Sequence, residues 1–422
     1  SSNQPVRNCP EIKGQRQSMP AMVMDVDGHE FPPHHLWGEV FGGVAGKVAE
    51  LAEPMLKFKQ SNDQYNPSVK GDLTEINEDT VWNVRGVKAP GAFDFSRRLE
   101  VHDMMGISRQ LVYPTYGIFA MLLMEEGIAT PGSSRAIALD LKGCTMSPKE
   151  LGDLGIQAVN EYNDWALRMA ALDPDRLRLV AYIKPAGTVE NMVEQARYLI
   201  GRGIRAVQIT FGRPPAGVSP ASPEMDPFWA ILAENNVACT IHVGGDPGYL
   251  ASVAWKQDVP AFALGKSESY ELGLEPYSFS TLHHSTMNYL TCLIMGGVFE
   301  RHPMLRFGAF ELGVSWLGSF AEILDMWATG PFKRRLAPHL SMLPSEYLAR
   351  NVRVNPYPDH ENIALQLERY PSLLNCYCYA SDYPHMEGGW DSKRKLFEQI
   401  AHLGQDVVDK FFVENARWVM PD

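Results

Sequence analysis

Eight short apolar runs, separated by helical patterns, are the feature that most constrains how this chain can fold. Between them lie segments such as 188–203, in which apolar residues recur every three or four positions and two glycines follow. Continuous apolar strands that alternate with helices indicate a parallel sheet covered by helices. Eight such strands predict an α/β fold, a closed (β/α)8 TIM barrel. The runs cover 22–27, 109–114, 178–185, 205–210, 237–245, 305–313, 351–356 and 374–384.

An open, doubly wound sheet is the structural alternative. No G-x-G-x-x-G sequence follows the first predicted strand, so a dinucleotide-binding fold has little support. The chain has 422 residues, whereas a typical barrel has roughly 250. We therefore predict an N-terminal arm over 1–20 and a single barrel domain over 21–422, with long inserted βα loops that form a cap over the C-terminal face. The insertions are placed at about 38–100, 117–160, 246–287 and 329–350.

Composition excludes some classes of partner. The formal net charge of −12 makes nucleic acid an unlikely ligand, because binding to phosphates needs clustered basic residues. The sequence has no apolar stretch near the roughly 20 residues of a membrane helix, and no signal peptide is evident. Six scattered cysteines indicate reduced thiols. We expect a cytoplasmic protein with no nucleic-acid or membrane partner.

Acidic and imidazole side chains follow four of the predicted strands. The carboxyl ends of barrel strands meet at one face, so these side chains converge there. Asp27 and His29 are two positions apart, so their side chains point to the same side of an extended segment. His242 and Asp382 approach them from across the barrel. Imidazole with carboxylate suits zinc, manganese or iron better than calcium, which predicts one divalent metal ion. The residues at the strand ends are Asp25, Asp27, His29, His242, Glu311, Asp382 and His385.

A purely structural role is the alternative to metal binding or catalysis for these residues. A single histidine on an apolar strand, such as His242, is more often hydrogen-bonded in a core than bound to metal. Glu311 can accept a proton from water or return one to a substrate carbon. It can instead form an ion pair with Arg306 or Arg353. The hypothesis of a metal site rests on four strand ends carrying ligand-type residues together.

Other candidates for the site lie near the predicted strand ends. His283 and His284 precede an apolar helix and are candidate catalytic residues, with a capping or surface role as the alternative. Aromatic residues in "YPTYG" can stack on a flat substrate or belong to the core. Two basic residues in loops can balance the charge of an anionic substrate. The candidate substrate-binding residues are Tyr113, Tyr116, Lys184 and Arg213.

Five segments resemble the amidohydrolase superfamily, in the amidohydrolase-2 branch related to aminocarboxymuconate-semialdehyde decarboxylase. They are "DVDGHEFPPHHLW", "IHVGG", "LIMGGVFERHPMLRFGAFELGVSWL", "LPSEYLARNVRV" and "YASDYPHMEGGW". The resemblance extends from about residue 21 to about residue 421. It implies a homodimer and a metal centre formed by Asp27, His29, His242 and Asp382.

The chain departs from that branch at two positions. Asp27 stands where the branch has histidine or glutamate, and Glu311 stands where many relatives have a histidine that acts as acid or base. The resemblance implies a mononuclear metal-dependent hydrolase with zinc, manganese or iron, in which metal-activated water cleaves a C–N or C–C bond. Its substrate is a carbonyl- or carboxylate-bearing small molecule, and Glu311 or Asp382 is the base. The alternatives are a metal-dependent, cofactor-free decarboxylase (carboxy-lyase) of an aromatic or unsaturated acid, and a non-catalytic binding barrel.

Overall fold

The strands of this protein form one curled parallel sheet. The computed structural model describes residues 17–58, 65–126, 145–185, 187–244, 255, 258–262 and 276–422. Within these residues the sheet has seven strands in chain order. They are β1 (Val23–His29), β2 (Ile107–Tyr113), β3 (Leu177–Tyr182), β4 (Ala206–Gln208), β5 (Ala238–His242), β6 (Arg306–Phe310) and β7 (Val352–Val354).

The eighth predicted strand closes the barrel without forming a regular ladder. Tyr377 bridges Val354 of β7, and Tyr383 bridges Gly28 of β1, both in parallel orientation. The amide of Val26 also donates to a carbonyl of this segment at 3.1 Å. Residues 377–383 thus connect the two edges of the sheet, and the predicted α/β barrel is confirmed.

The strand prediction was wrong for 374–376. These residues belong to the 3-10 helix Pro371–Cys376. The side-chain amide of Asn415 donates to the carbonyls of Leu374 and Tyr377, each at 2.8 Å. Those carbonyls are therefore occupied, and an apolar run alone could not show this.

Helices surround the sheet and occupy its connections. The α-helices are Trp37–Val40, Gly43–Phe58, Glu78–Asn83, Phe95–Met105, Tyr116–Glu126, Pro148–Ala170, Val189–Gly201, Asp226–Glu234, Pro276–Thr281, His284–Met295, Val298–Arg301, Leu317–Thr329, Lys333–Leu336, Pro344–Asn351, Ile363–Arg369, Ser392–Ile400, Gln405–Asp409 and Ala416–Val419. Further 3-10 turns are His34–Leu36, Gly86–Lys88, Pro215–Gly217, Pro223–Met225, Pro260–Phe262 and Ala401–Leu403, and Lys410–Glu414 is a π-turn.

The predicted insertions are only partly described. Residues 59–64, 127–144 and most of 245–275 lie outside the described residues, as does the predicted arm up to residue 16. The division into an arm and one domain stays a prediction. None of the helices in the described segments is both long enough and apolar enough to cross a lipid bilayer.

The long helix Pro148–Ala170 shows how local sequence forms the outer layer. The Ser147 hydroxyl accepts from the Glu150 amide, and the Glu150 carboxylate accepts from the Ser147 amide, which forms a capping box. Pro148 occupies the first helical position, where its missing N–H removes no bond. Trp165 on this helix is buried in the core that covers β3. Capping and burial thus stabilise the helix that precedes β3.

The amino-terminal end of the barrel is closed by the end of the chain. Apolar residues from β1 to β6 and from the closing segment fill the interior, and Ala416, Val419 and Met420 pack beneath them. Arg109 donates to the Met420 carbonyl at 2.7 Å, and Arg306 donates to the Trp418 carbonyl at 2.8 Å. This end is therefore sealed, and the carboxyl ends of the strands remain for a site.

Candidate metal centre

A register shift in β1 separates the acidic residues of this strand. The shift lies between Asp25 and Gly28, where two residues of β1, Val26 and Asp27, oppose one residue of β2. Such a bulge turns neighbouring side chains to different surroundings. Asp25 contacts Gln110 and Ser381, whereas Asp27 contacts His242 across the barrel. Asp25 therefore does not share the position of Asp27.

Three carboxylates surround two imidazole nitrogens at the carboxyl end of the barrel. His29 Nε2 lies 3.3 Å from Asp27 Oδ1, 3.3 Å from Asp382 Oδ1 and 3.9 Å from Glu311 Oε2. His242 Nε2 lies 3.1 Å from Asp27 Oδ1 and 3.4 Å from Glu311 Oε2. None of the five residues is more than 6% exposed. The predicted ligands are thus brought together, with Glu311 among them.

The unsatisfied atoms of this cluster fit a cation. Asp27 Oδ2, His29 Nε2 and both carboxylate oxygens of Asp382 are buried without a hydrogen-bond partner. Candidate ligand atoms lie within 4.8 Å of one another in two groups that share His29 and Glu311, one with Asp27 and His242 and the other with Asp382 and His385. Buried charges are costly unless they are paired or coordinate a metal. The donor set of imidazole and carboxylate therefore suits a divalent ion.

Two carboxyl groups of the cluster differ in their proton affinity. Burial would raise the pKa of Asp27, but the imidazoles of His242 and His29 outweigh burial and lower this pKa to about 2. Burial, together with the negative charge of Asp27, raises the pKa of Asp382 well above its usual value. Asp382 therefore binds either a proton or a cation, since a divalent ion favours the ionised form.

Hydrogen bonds at the far side of each imidazole orient its Nε2 atom. His242 Nδ1 lies 3.0 Å from the Val243 carbonyl, to which only a protonated nitrogen can donate. His29 Nδ1 lies 3.3 Å from the Thr115 hydroxyl, which is 2.9 Å from His385 Nε2. The rings of His29 and His385 are stacked with centroids 3.9 Å apart. Such contacts are the usual means by which proteins fix the tautomer of a metal-binding histidine.

Two acidic residues of the cluster have left-handed backbones, with φ of 54° at Glu311 and 51° at Asp382. This conformation is rare for residues other than glycine and tends to occur at functional sites. It is held in place at Glu311, whose amide donates to Asn355 Oδ1 at 2.8 Å and whose carbonyl accepts from Tyr357 Oη at 2.6 Å. The Asp382 amide donates to the Asp27 carbonyl at 2.8 Å. Backbone bonds thus aim both carboxylates at the centre.

The two tyrosines predicted to bind substrate lie in different places. The Tyr113 ring stacks on His242, with centroids 4.4 Å apart, so it borders the cluster. The Tyr116 ring stacks on Phe41 at 4.5 Å and contacts Trp37 at 5.0 Å. Tyr116 is therefore part of the core outside the barrel, and these contacts do not favour a role in substrate binding.

The other candidates lie at the rim. His283 is half-buried and borders a cavity, and burial together with His284 lowers its pKa. His284 is exposed at the start of its helix. Lys184 Nζ donates to Asn160 Oδ1, and Arg213 is half-buried after β4. Their catalytic or substrate-binding roles stay predictions.

The alternative pairing of Glu311 with arginine does not occur. Arg306 donates to the Trp418 carbonyl and Arg353 Nε donates to the Asn415 carbonyl at 2.9 Å, both at the sealed end of the barrel. The charge of Glu311 is therefore not balanced by either guanidinium group.

Sequence reasoning missed several polar residues at the carboxyl ends of the strands. Thr115 follows β2, and Asn355 and Tyr357 follow β7, so the rule that strand ends form the site would have found them. Gln208 ends β4 and is 1% exposed, yet neither side-chain amide atom has a hydrogen-bond partner. A polar residue at the last position of a buried strand was the available signal.

The fold and the cluster define a barrel enzyme with a divalent metal ion. The amidohydrolase family model matches residues 152–419. The chain therefore belongs to the amidohydrolase family, and the predictions of this family, of an enzyme and of a divalent metal ion are confirmed. A search among curated proteins finds no match to the sequence.

Solved structures share the fold at low sequence identity. An amidohydrolase from Mycobacterium avium subsp. paratuberculosis K-10 is 18% identical with a TM-score of 0.64, and the match covers 94% of this chain and 99% of that one. 2,6-Dihydroxybenzoate decarboxylase from Rhizobium is 14% identical with a TM-score of 0.55, covering 94% and 98%. 5-Carboxyvanillate decarboxylase from Sphingomonas paucimobilis is 14% identical with a TM-score of 0.56, covering 95% and 99%.

Proposed function

We propose that this protein is a metal-dependent hydrolase that cleaves a C–N or C–C bond in an uncharged, carbonyl-bearing small molecule. The observation that carries the proposal is the convergence of Asp27, Glu311 and Asp382 on two histidine nitrogens. Three carboxylates exceed the charge of a divalent ion by one unit. An anionic substrate is repelled by such a centre at low dielectric, whereas a neutral carbonyl group is not.

Four of the clustered residues are the proposed metal ligands. Asp27, His29, His242 and Asp382 would hold the ion, and zinc or manganese suits this mixture of donors. A related 5-carboxyvanillate decarboxylase from Novosphingobium aromaticivorans was solved with manganese. When bound, a divalent ion polarises a carbonyl group and lowers the pKa of water.

Glu311 is the proposed base. Its Oε2 lies 3.4 Å from His242 Nε2, and its backbone is held by Asn355 and Tyr357. The carboxylate accepts a proton from water while the water oxygen forms a bond to the carbonyl carbon. It then returns this proton to the nitrogen or carbon atom of the leaving group as the C–N or C–C bond breaks.

The likeness of fold to two decarboxylases favours a second candidate, a metal-dependent carboxy-lyase. In that reaction Glu311 would deliver a proton to the carbon atom that loses CO2. The substrate would be an aromatic or unsaturated acid, which adds a negative charge to a centre that is already negative. This charge is the reason that we place hydrolysis first.

One set of assays tests both candidates. Manganese-loaded protein is incubated in H2(18)O with neutral amides and 1,3-diketones and, separately, with aromatic carboxylic acids. Hydrolysis predicts one 18O atom in the acid product and no CO2, and decarboxylation predicts CO2 from the acids alone. The absence of both reactions in metal-loaded protein would contradict both candidates.

The role of Glu311 is tested in the same assays. Glu311→Gln is expected to lower kcat by about 10²- to 10⁴-fold, the usual contribution of a general base, while the metal content is unchanged. Glu322→Gln on the outer helix Leu317–Thr329 is the matched control. Loss of metal from Glu311→Gln would instead identify Glu311 as a ligand.

A further inference from the structure

A cavity of about 460 Å³ lies beside Glu311. Leu312, the next residue in the chain, lines it, and so does Tyr357, whose hydroxyl donates to the Glu311 carbonyl at 2.6 Å. The volume falls in the range of small-molecule pockets. The ligand residues of the metal centre are not among the residues that line it. It therefore adjoins the proposed reaction site and is distinct from it.

Two aromatic rings form parallel surfaces in this cavity. The planes of His283 and Trp316 are 3° from parallel, and their centroids are 6.4 Å apart. Trp316 Nε1 donates to the carbonyls of Leu312 and Gly313, at 3.1 and 2.9 Å. The polar group of the indole is thus occupied within the protein. Its ring remains as a fixed apolar surface.

The described lining of the cavity contains the histidines His283 and His360 but no permanently cationic side chain. Among the described residues, no lysine or arginine lines it. The carboxylate of Glu361 does line it, but accepts hydrogen bonds from the amides of Val314, Ser315 and Tyr357, at 2.8, 2.8 and 3.0 Å. The Ser315 hydroxyl donates to the same group at 2.7 Å. This charge is therefore held by the protein and is not left to attract a ligand.

We infer that the cavity binds a flat, uncharged ring of the substrate, with Trp316 and His283 as its aromatic contacts. The inference rests on the proposed function, because it places the carbonyl group at the metal centre and the ring beside it. The substrate class is then an aryl carbonyl compound, such as an arylamide. His283 acts through the face of its ring and not as a proton donor, and flat rings gain from such contacts beyond their buried area.

Binding of a flat ring and of its saturated analogue tests the inference without turnover. The probes are 2-naphthamide and decahydro-2-naphthamide, titrated calorimetrically into manganese-loaded Glu311→Gln protein, which lacks the proposed base and therefore does not turn them over. We expect the flat probe to bind about tenfold more tightly, as two aromatic contacts suggest. Trp316→Leu should remove this preference. Trp327→Leu, which alters an exposed tryptophan, should preserve it.

Variants of His283 keep the test decisive if Trp316→Leu does not fold. His283→Phe, which retains a ring but no ionisable group, should preserve the preference, and His283→Leu should abolish it. Equal affinity of the two probes for the protein with an unaltered cavity, or a preference unchanged in His283→Leu, would overturn the inference. A preference of the expected kind without hydrolysis of any amide would support the cavity assignment and count against the proposed function alone.

Discussion

Asp25 and Asp27 lie two residues apart on β1, and their carboxylates differ in how far hydrogen bonds satisfy them. Asp25 accepts hydrogen bonds from Gln110 Nε2 at 2.7 Å, from the Ser381 amide at 2.9 Å and from the Ser381 hydroxyl at 2.5 Å. It also accepts from the Asp27 amide at 3.1 Å. Asp27, in contrast, has one carboxylate oxygen without any partner. Protein donors thus satisfy Asp25, and Asp27 is left for an ion.

The same contrast extends to two buried glutamines. The Oε1 atom of Gln110 accepts from Arg98 at 3.2 Å and lies 2.9 Å from His102 Nε2, so this residue joins a satisfied network around Asp25. Gln208 is equally buried but has no partner for either amide atom. Satisfied polar groups form a scaffold, whereas unsatisfied ones incur a cost that a ligand can offset. The satisfied network around Asp25 also contacts the metal cluster, since Arg98 donates to the carbonyl of His29.

The largest expected effect is the loss of metal and activity on replacing the buried His242, in contrast to the buried His102. His242→Ala should lose the metal and lower kcat/KM by about 10³-fold, near the upper range for removing one electrostatic contribution to catalysis. His102→Ala should lower the free energy of unfolding but keep the metal, because its ring contacts Gln110 and not the cluster. Metal content and activity of both purified variants are the measurements. Loss of metal from folded His102→Ala would remove the distinction between the two regions.

The second prediction concerns the pH dependence of the Asp25 region. Burial raises the pKa of Asp25 to about 6 from 3.8, against the effect of its donors. As the pH rises through this interval, the unfolded chain releases its proton first, and the free energy of unfolding falls by about 3 kcal/mol. Asp25→Asn removes this loss. The stability of the variant relative to the wild type should therefore rise by about 2 kcal/mol from pH 4 to pH 7, since part of the change already lies below pH 4.

Urea unfolding of both metal-free proteins measures this difference. Both proteins keep the remaining titratable groups of the cluster, so the effects of those groups largely cancel in the comparison. A difference in stability that does not vary between pH 4 and pH 7 would mean that Asp25 keeps its usual pKa.

The third prediction compares the two glutamines. Gln208→Met should raise the free energy of unfolding by about 1 to 3 kcal/mol, because the buried amide atoms are unpaired. Gln110→Met should lower it by a similar amount, because it removes one donor to the buried Asp25 carboxylate and one acceptor of the buried Arg98 guanidinium group. Thermal and urea unfolding give both values. Destabilisation by Gln208→Met would show that its amide has a partner.

The smallest expected effect concerns the orientation of His29. Thr115→Val removes the hydroxyl that lies between His29 Nδ1 and His385 Nε2. Metal affinity should fall by about tenfold, the lower end of the range for such supporting groups. Competition with a fluorescent chelator measures the affinity, and Thr291→Val, in the helix His284–Met295, is the control. Equal affinities of the two variants would exclude a role for Thr115.

Much of the fold could be predicted from the sequence, because buried parallel strands appear as continuous apolar runs. The runs located β1 to β7 and the segment that closes the barrel. The same signal failed at 374–376, since hydrogen bonds from Asn415 decide the local structure there. Regions outside the described residues, the arm, the homodimer and the cytoplasmic location stay predictions.

The residues of the candidate site could be predicted where they follow a strand, but the direction of individual side chains could not. The D-x-H spacing located Asp27 and His29, but the bulge that turns Asp25 away depends on pairing with β2, which no local pattern encodes. Tyr116 was expected near a substrate and lies instead in the core with Phe41, because its helix faces away from the barrel interior. Predicting which side chains meet across the barrel requires knowledge of how the strands pair in three dimensions.

The most direct measurement of the central claim is the metal content of three purified proteins by inductively coupled plasma mass spectrometry. The wild type, Asp25→Asn and Asp27→Ala are each loaded with manganese, desalted and checked for folding by circular dichroism. We predict about one ion per chain in the wild type and in Asp25→Asn, and none in Asp27→Ala. Retention of the ion by Asp27→Ala, or a wild type that takes up none, would contradict it.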